Sequence, residues 1–169
     1  MAMRFRSYLG IAALAAGACW IDAAHAQNAF HPIPAAECQT FAGQVQAAVG
    51  FAAKTSEDDF TDLADRSEGR SCHISASASG QAFTAPADLM TKAAPVFAAW
   101  QNDPARADSG PAEIEKGFVS GNRIATIDVS WEPGPGVTCS DTQPLSACNI
   151  QPQQKLWTVT VDIVEKGAK

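Results

Sequence analysis

The sequence predicts an α+β domain. Two helices, near 34–53 and 86–102, pack on one face of a mostly antiparallel sheet that ends in a three-strand meander, and two disulfides hold it. Three observations predict this. Segments Arg123–Trp131 and Leu156–Val164 alternate apolar and polar residues with a period of two, as half-buried strands do. Two Ala-rich segments earlier in the chain carry apolar residues at three- and four-residue steps, the period of a helix. Of the five cysteines, one falls in an N-terminal leader and the remaining even number suits cross-linking.

Residues 1–26 read as a signal peptide. Arg4 and Arg6 give a positive start, Leu9–Ile21 is an apolar run too short for a stable membrane span, and Ala24-His25-Ala26 is a small-x-small cleavage pattern. Cleavage then falls before Gln27, and 27–169 is a single domain, periplasmic or secreted. The competing reading is a lipoprotein anchored through Cys19, where Ala16 stands in place of the larger aliphatic residue that a lipobox wants. No other stretch approaches a membrane span, so no integral segment is expected after cleavage.

Gln27–Ile33 reads as an extended lead. The first helix follows, with Pro34 in its first turn, Glu37 near the positive end of the dipole, and Cys38, Phe41, Val45, Ala48, Val49 and Ala52 in one stripe. The polar stretch 54–71 reads as an acidic turn: Ser56 and Asp59 resemble a capping box, Phe60 and Leu63 dock a short helical turn, and Gly69 ends it. Cys72–Gly80 alternates Ile74, Ala76 and Ala78 against His73, Ser75, Ser77 and Ser79, a strand whose small apolar face admits a close helix. The second helix starts at Thr84 as N-cap, carries Leu89, Ala93, Val96, Phe97 and Trp100, and is kinked or split by Pro95.

Asn102–Pro111 reads as a surface loop because Asp103-Pro104 and Gly110-Pro111 are breakers. A strand over Glu113–Val119 turns at Ser120-Gly121-Asn122 into Arg123. Pairing Trp131 with Trp157 sets Val129 opposite Val159 and Ile127 opposite Val161. The hairpin loop is then 132–154, and Cys139 and Cys148 lie almost symmetrically about its centre. That symmetry predicts a Cys139–Cys148 clip, and exclusion leaves Cys38–Cys72. The chain-entropy model gives the short loop roughly 2.5–3 kcal/mol and the long one nearer 4.

The chemistry is sparse. A net charge of −6 argues against nucleic acid and anionic membranes as partners, since both require a basic surface. His73 is the one catalytic candidate, a general base beside Ser75 and Ser77 with Asp128 or Asp162 in support, but no nucleophile motif accompanies it. The acidic run from Asp58 fails as an EF-hand, whose third, sixth and twelfth places fall on Phe60, Leu63 and Gly69. No zinc spacing surrounds the cysteines, so neither a metal nor a cofactor is expected. Trp131, Trp157, Pro133 and Pro135 at the loop base are the binding candidates, with Trp100 as a further aromatic. The reading that follows is a non-catalytic exported module that binds a protein or small ligand. The alternatives are a small exported hydrolase using His73 and a lipid-anchored envelope component.

Overall fold

The computed structural model describes residues 29–139 and 148–167. The signal peptide, its cleavage site and Cys19 lie outside the described residues, as does the loop between Cys139 and Cys148. Nine elements follow in order: β1 (Phe30–Pro32), α1 (Ala35–Val49), β2 (Ala53–Thr61), β3 (Glu68–Ser79), α2 (Pro86–Ala93), β4 (Gln101–Ser109), β5 (Glu113–Ser120), β6 (Arg123–Pro133) and β7 (Lys155–Lys166). The strands form one seven-stranded mixed sheet in the order β2-β3-β1-β7-β6-β5-β4, with β3 also pairing β7 directly. The β1–β3 contact is parallel and the other pairings are antiparallel.

The β6–β7 register has Trp131 opposite Trp157, Val129 opposite Val159 and Ile127 opposite Val161. With Cys72, Ile74 and Ala76 of β3, these side chains make the sheet's half of the core. Cys38, Ala42, Val45 and Val49 of α1 and Leu89, Met90 and Ala93 of α2 make the other half. The Cys38–Cys72 disulfide crosses this interface, with a Cα–Cα distance of 5.9 Å.

Both helices are shorter than expected. α1 begins after Pro34 and ends at Gly50, whose φ of 80° is the left-handed stop that glycine takes without a Cβ penalty. Ala52 therefore lies beyond the helix. Pro95 divides the second helix: α2 ends at Ala93 and a 3-10 turn, Ala94–Phe97, replaces its continuation. Ala85 takes the N-cap position, while the Thr84 hydroxyl and the Thr84 and Ala85 N–H groups all donate to Asp88 Oδ2.

Two expectations are overturned. The acidic stretch 54–71 is a β-hairpin rather than a helical turn. β2 runs to Thr61 and β3 starts at Glu68, and Phe60 is the buried residue of β2. As an edge strand, β2 wets both its faces, so its polarity imitates a turn. Residues 101–109 are likewise strand β4 rather than loop. Pro104 is tolerated because β4 is the opposite edge and its register shifts between Asp103 and Asp108. The C-terminal meander therefore has four strands, β4 to β7.

β1 is a wedge. Beyond Cys72 and Ile163 the strands β3 and β7 part, and Phe30–Pro32 fills the gap, with Phe30 beside Gly69 and opposite Lys166. A Cβ on Gly69 would lie 2.4 Å from the Phe30 carbonyl oxygen, so only glycine admits β1 there. Phe30 then packs edge-on to Phe60 at 5.3 Å and joins Ile124 and Val164 in a second apolar cluster.

The sheet is strongly rolled. Six inter-strand steps separate its two edges, and at about 4.8 Å per step a flat sheet would hold them roughly 29 Å apart. Yet Arg106 of β4 reaches Asp62, in the turn after β2, with Nη2 at 2.5 Å from Oδ2. Arg106 also pairs with Asp103. It lies directly on Gly117, where a Cβ would sit 2.3 Å from the Arg106 Cβ. Asp62 is fully buried and Arg106 nearly so. The turn that follows β2 therefore closes on β4 through a buried ion pair, while β2 and β4 themselves do not pair.

Candidate functional site

The face of the sheet away from the helices carries the chemistry. Reading the registers across the strands puts Lys54, Ser75, Thr160, Asp128, Glu115 and Asp108 in one line. The neighbouring line is Ser56, His73, Asp162, Thr126 and Gly117. Burial, helped by the charges of Asp128, Asp108, Asp162 and Glu113, pushes the Glu115 carboxyl up to about 7. Burial also raises Asp128, against a hydrogen bond with Ser130 that lowers it and the charges of Glu113 and Asp162 that raise it further.

His73 and Asp162, both candidates from the sequence, meet here: Nδ1 lies 2.9 Å from Oδ1. Ser71 Oγ donates to the same oxygen at 2.6 Å. An activated serine would bond the imidazole and leave the carboxylate to hold the far side of the ring. Here the hydroxyl goes to the carboxylate instead, and Ser71 is fully buried. The arrangement orients His73 and supplies no primed nucleophile. Ser77 is paired with Thr158 at 3.0 Å. Asp128 lies one line away from His73, beside Glu115. Sequence reasoning missed Ser71, Thr126 and Glu115. Ser71 was findable, because it precedes His73 by two on the same strand face, had β3 been started before Cys72.

The loop base is built differently. Trp131 and Trp157 are 7% and 0% exposed, so both are core residues. The Lys155 ammonium lies 3.9 Å above the Trp131 ring and 5.2 Å from the Trp157 ring, and donates to the Thr84 carbonyl at 3.4 Å. Burial holds this lysine below the ordinary lysine range. Phe83 abuts Trp157, while Trp100 packs against Phe41 and Phe97. The tryptophan faces are thus occupied from within. Pro133 is half-buried and Pro135 exposed.

Both arms of the loop are fixed. Gly134 N–H donates to the Gln154 carbonyl at 2.7 Å, and a Cβ on Gly134 would lie 2.6 Å from that oxygen. Val137 N–H returns to Gly134, Ile150 packs on the core, and a 3-10 turn over Pro152–Gln154 leads into β7. Cys139 and Cys148 are bonded at a Cα–Cα distance of 5.8 Å.

A third feature is a cleft of about 190 Å³ running from the β1–α1 link, over the Cys38–Cys72 disulfide, to β2. Pro32, Ile33, Ala35, Gln39, Thr55 and Glu57 line it. Among the described residues no group of three or more His, Cys, Asp or Glu could hold a metal ion. No described helix is long and apolar enough to cross a membrane. No protein-family model, no curated protein and no solved structure matches this chain.

Proposed function

We propose that the protein is a non-catalytic, exported binding domain that meets its partner through the disulfide-clipped end of the β6–β7 hairpin. The observation that carries this reading is the redundancy of the clip. The hairpin is already registered from Arg123–Glu165 to Pro133–Lys155, with two buried indoles paired inside it. Cys139–Cys148 lies outside the last pair and adds nothing to that register. Its effect falls on the described loop arms, which it ties together at Cys139 and Cys148, and ordering in advance of a partner favours binding. Two disulfides suit an oxidising compartment, which supports export.

Site-specific photocrosslinking in producing cells tests this. A crosslinker at Val137 captures a defined partner in yield well above one placed at Gln44, an exposed position on α1. Equal yields at the two positions, or none at Val137, contradict the reading. The hydrolase alternative keeps one supporting observation, the His73–Asp162 hydrogen bond. It requires an ester or amide turnover that H73A abolishes, and the Ser71 geometry argues against finding one.

A further inference from the structure

The two edges of the sheet are not equally protected. Strands leave unpaired N–H and C=O groups at an edge, and proteins blunt them with proline, bulges or charge. β4 carries Pro104 and a register shift. β2 has neither and carries charge instead, at Lys54, Glu57, Asp58 and Asp59: its register with β3 is continuous from Ala53–Ala76 to Thr61–Glu68, and among the described residues no strand pairs its outer side. Two bonds show which residues face outward. Ala53 N–H leaves the ladder to donate to Gln46 Oε1, and the Glu57 carbonyl accepts from Arg70 Nη2. Antiparallel strands alternate inward and outward pairs. The N–H groups of Thr55 and Glu57 therefore point outward as well.

The cleft beside the disulfide opens at these same two residues, since Thr55, Ser56 and Glu57 form one of its walls. At about 190 Å³ it is smaller than the ~300 Å³ at which small-molecule sites begin, a size for one or two side chains. An outward backbone row beside a side-chain pocket is the arrangement of strand addition, in which main-chain bonds give affinity and the pocket gives selectivity. Charge decides the occupant. Lys54, Glu57, Asp58 and Asp59 stand on β2, and among the described residues Arg70 pairs with Asp59 alone, which leaves the strand net acidic. A second copy of this acidic edge would be repelled, and a basic strand attracted.

The geometry points to a docking site for an extended basic peptide, which adds antiparallel to β2 at Thr55–Glu57 and places an apolar side chain in the Ile33–Cys38 cleft. This surface is independent of the clipped loop. The residue opposite Thr55 exchanges backbone bonds with it and shares its face, so the peptide's cleft-facing residues are also its bonded ones.

The test uses the exported chain and a blocked nonapeptide of alternating valine and lysine. Binding with slowed amide exchange at Thr55 and Glu57 is expected. N-methylation at the valines abolishes binding and N-methylation at the lysines spares it; a valine–glutamate peptide does not bind. T55P, which removes an edge donor, and A35W, which fills the cleft rim, each weaken binding by about tenfold or more. A35W leaves the strand untouched and so guards against a folding defect in T55P. E57Q/D58N/D59N weakens binding and flattens its salt dependence. No binding, or equal binding of the valine-methylated peptide, overturns the proposal. A concentration-dependent dimer lost in T55P would assign the edge to a second copy and overturn it too.

Discussion

Glu115 makes stability depend on pH in an unusual direction for a carboxylate. Its folded value of about 7 stands above the ordinary 4.5, so the folded state holds a proton that the unfolded chain has released. Stability is therefore highest below that window and falls as pH rises through it. A full conversion would exceed 3 kcal/mol. The group is only partly buried, and solvent screening brings the expected loss to the order of 1–2 kcal/mol. Denaturant titrations on either side of the window should show E115Q without that loss and more stable than wild type at the alkaline end. A slope unchanged in E115Q would assign it elsewhere. G69A is a second test at this scale: the added Cβ meets the Phe30 backbone, so about 1–3 kcal/mol is lost and amide protection disappears from β1 first. The alternation of β3 and β7 made His73 and Asp162 legible as facing groups. Glu115 was not legible, because its shift depends on four carboxylates from other positions that only the registers bring together.

Among the elements, what buries one face was readable and what buries neither was not. β6, β7 and the later part of β3 show clean alternation because helices cover one side of them. β2 and β4 are edges, wetted on both faces, and their sequences carry turn-like signals: acidic residues in one, Asp103-Pro104 in the other. Cysteine arithmetic gave both disulfides because the hairpin register had already fixed one of them. The two bonds differ in what they do. Cys38–Cys72 closes 34 residues and ties α1 to β3 through the core, so its replacement by alanines should cost nearly 4 kcal/mol in urea unfolding. A cost below about 1 kcal/mol would mean that core packing alone holds α1 in place.

At the scale of the whole molecule the sheet rolls until the turn after β2 meets β4, and no local pattern announces it. Asp62 and Arg106 lie 44 residues apart, one in a segment that reads as a turn and the other in one that reads as a loop. Removing one partner of a buried pair leaves the other charge uncompensated, which costs roughly 3–5 kcal/mol. D62N should fall near the lower end, since Asp103 still serves Arg106. Calorimetry would check this, and a loss near zero would show that the roll is set by the backbone alone.

The central claim is that the Cys139–Cys148 clip shapes a loop for binding and is not needed to hold the hairpin. Amide hydrogen exchange on wild type and C139S/C148S tests it most directly. The account predicts that β6 and β7 keep their protection while Gly134, Val137 and Ile150, on the loop arms, lose theirs. Uniform loss of protection along β6 and β7 would contradict it, and would make the clip a stabiliser of the fold.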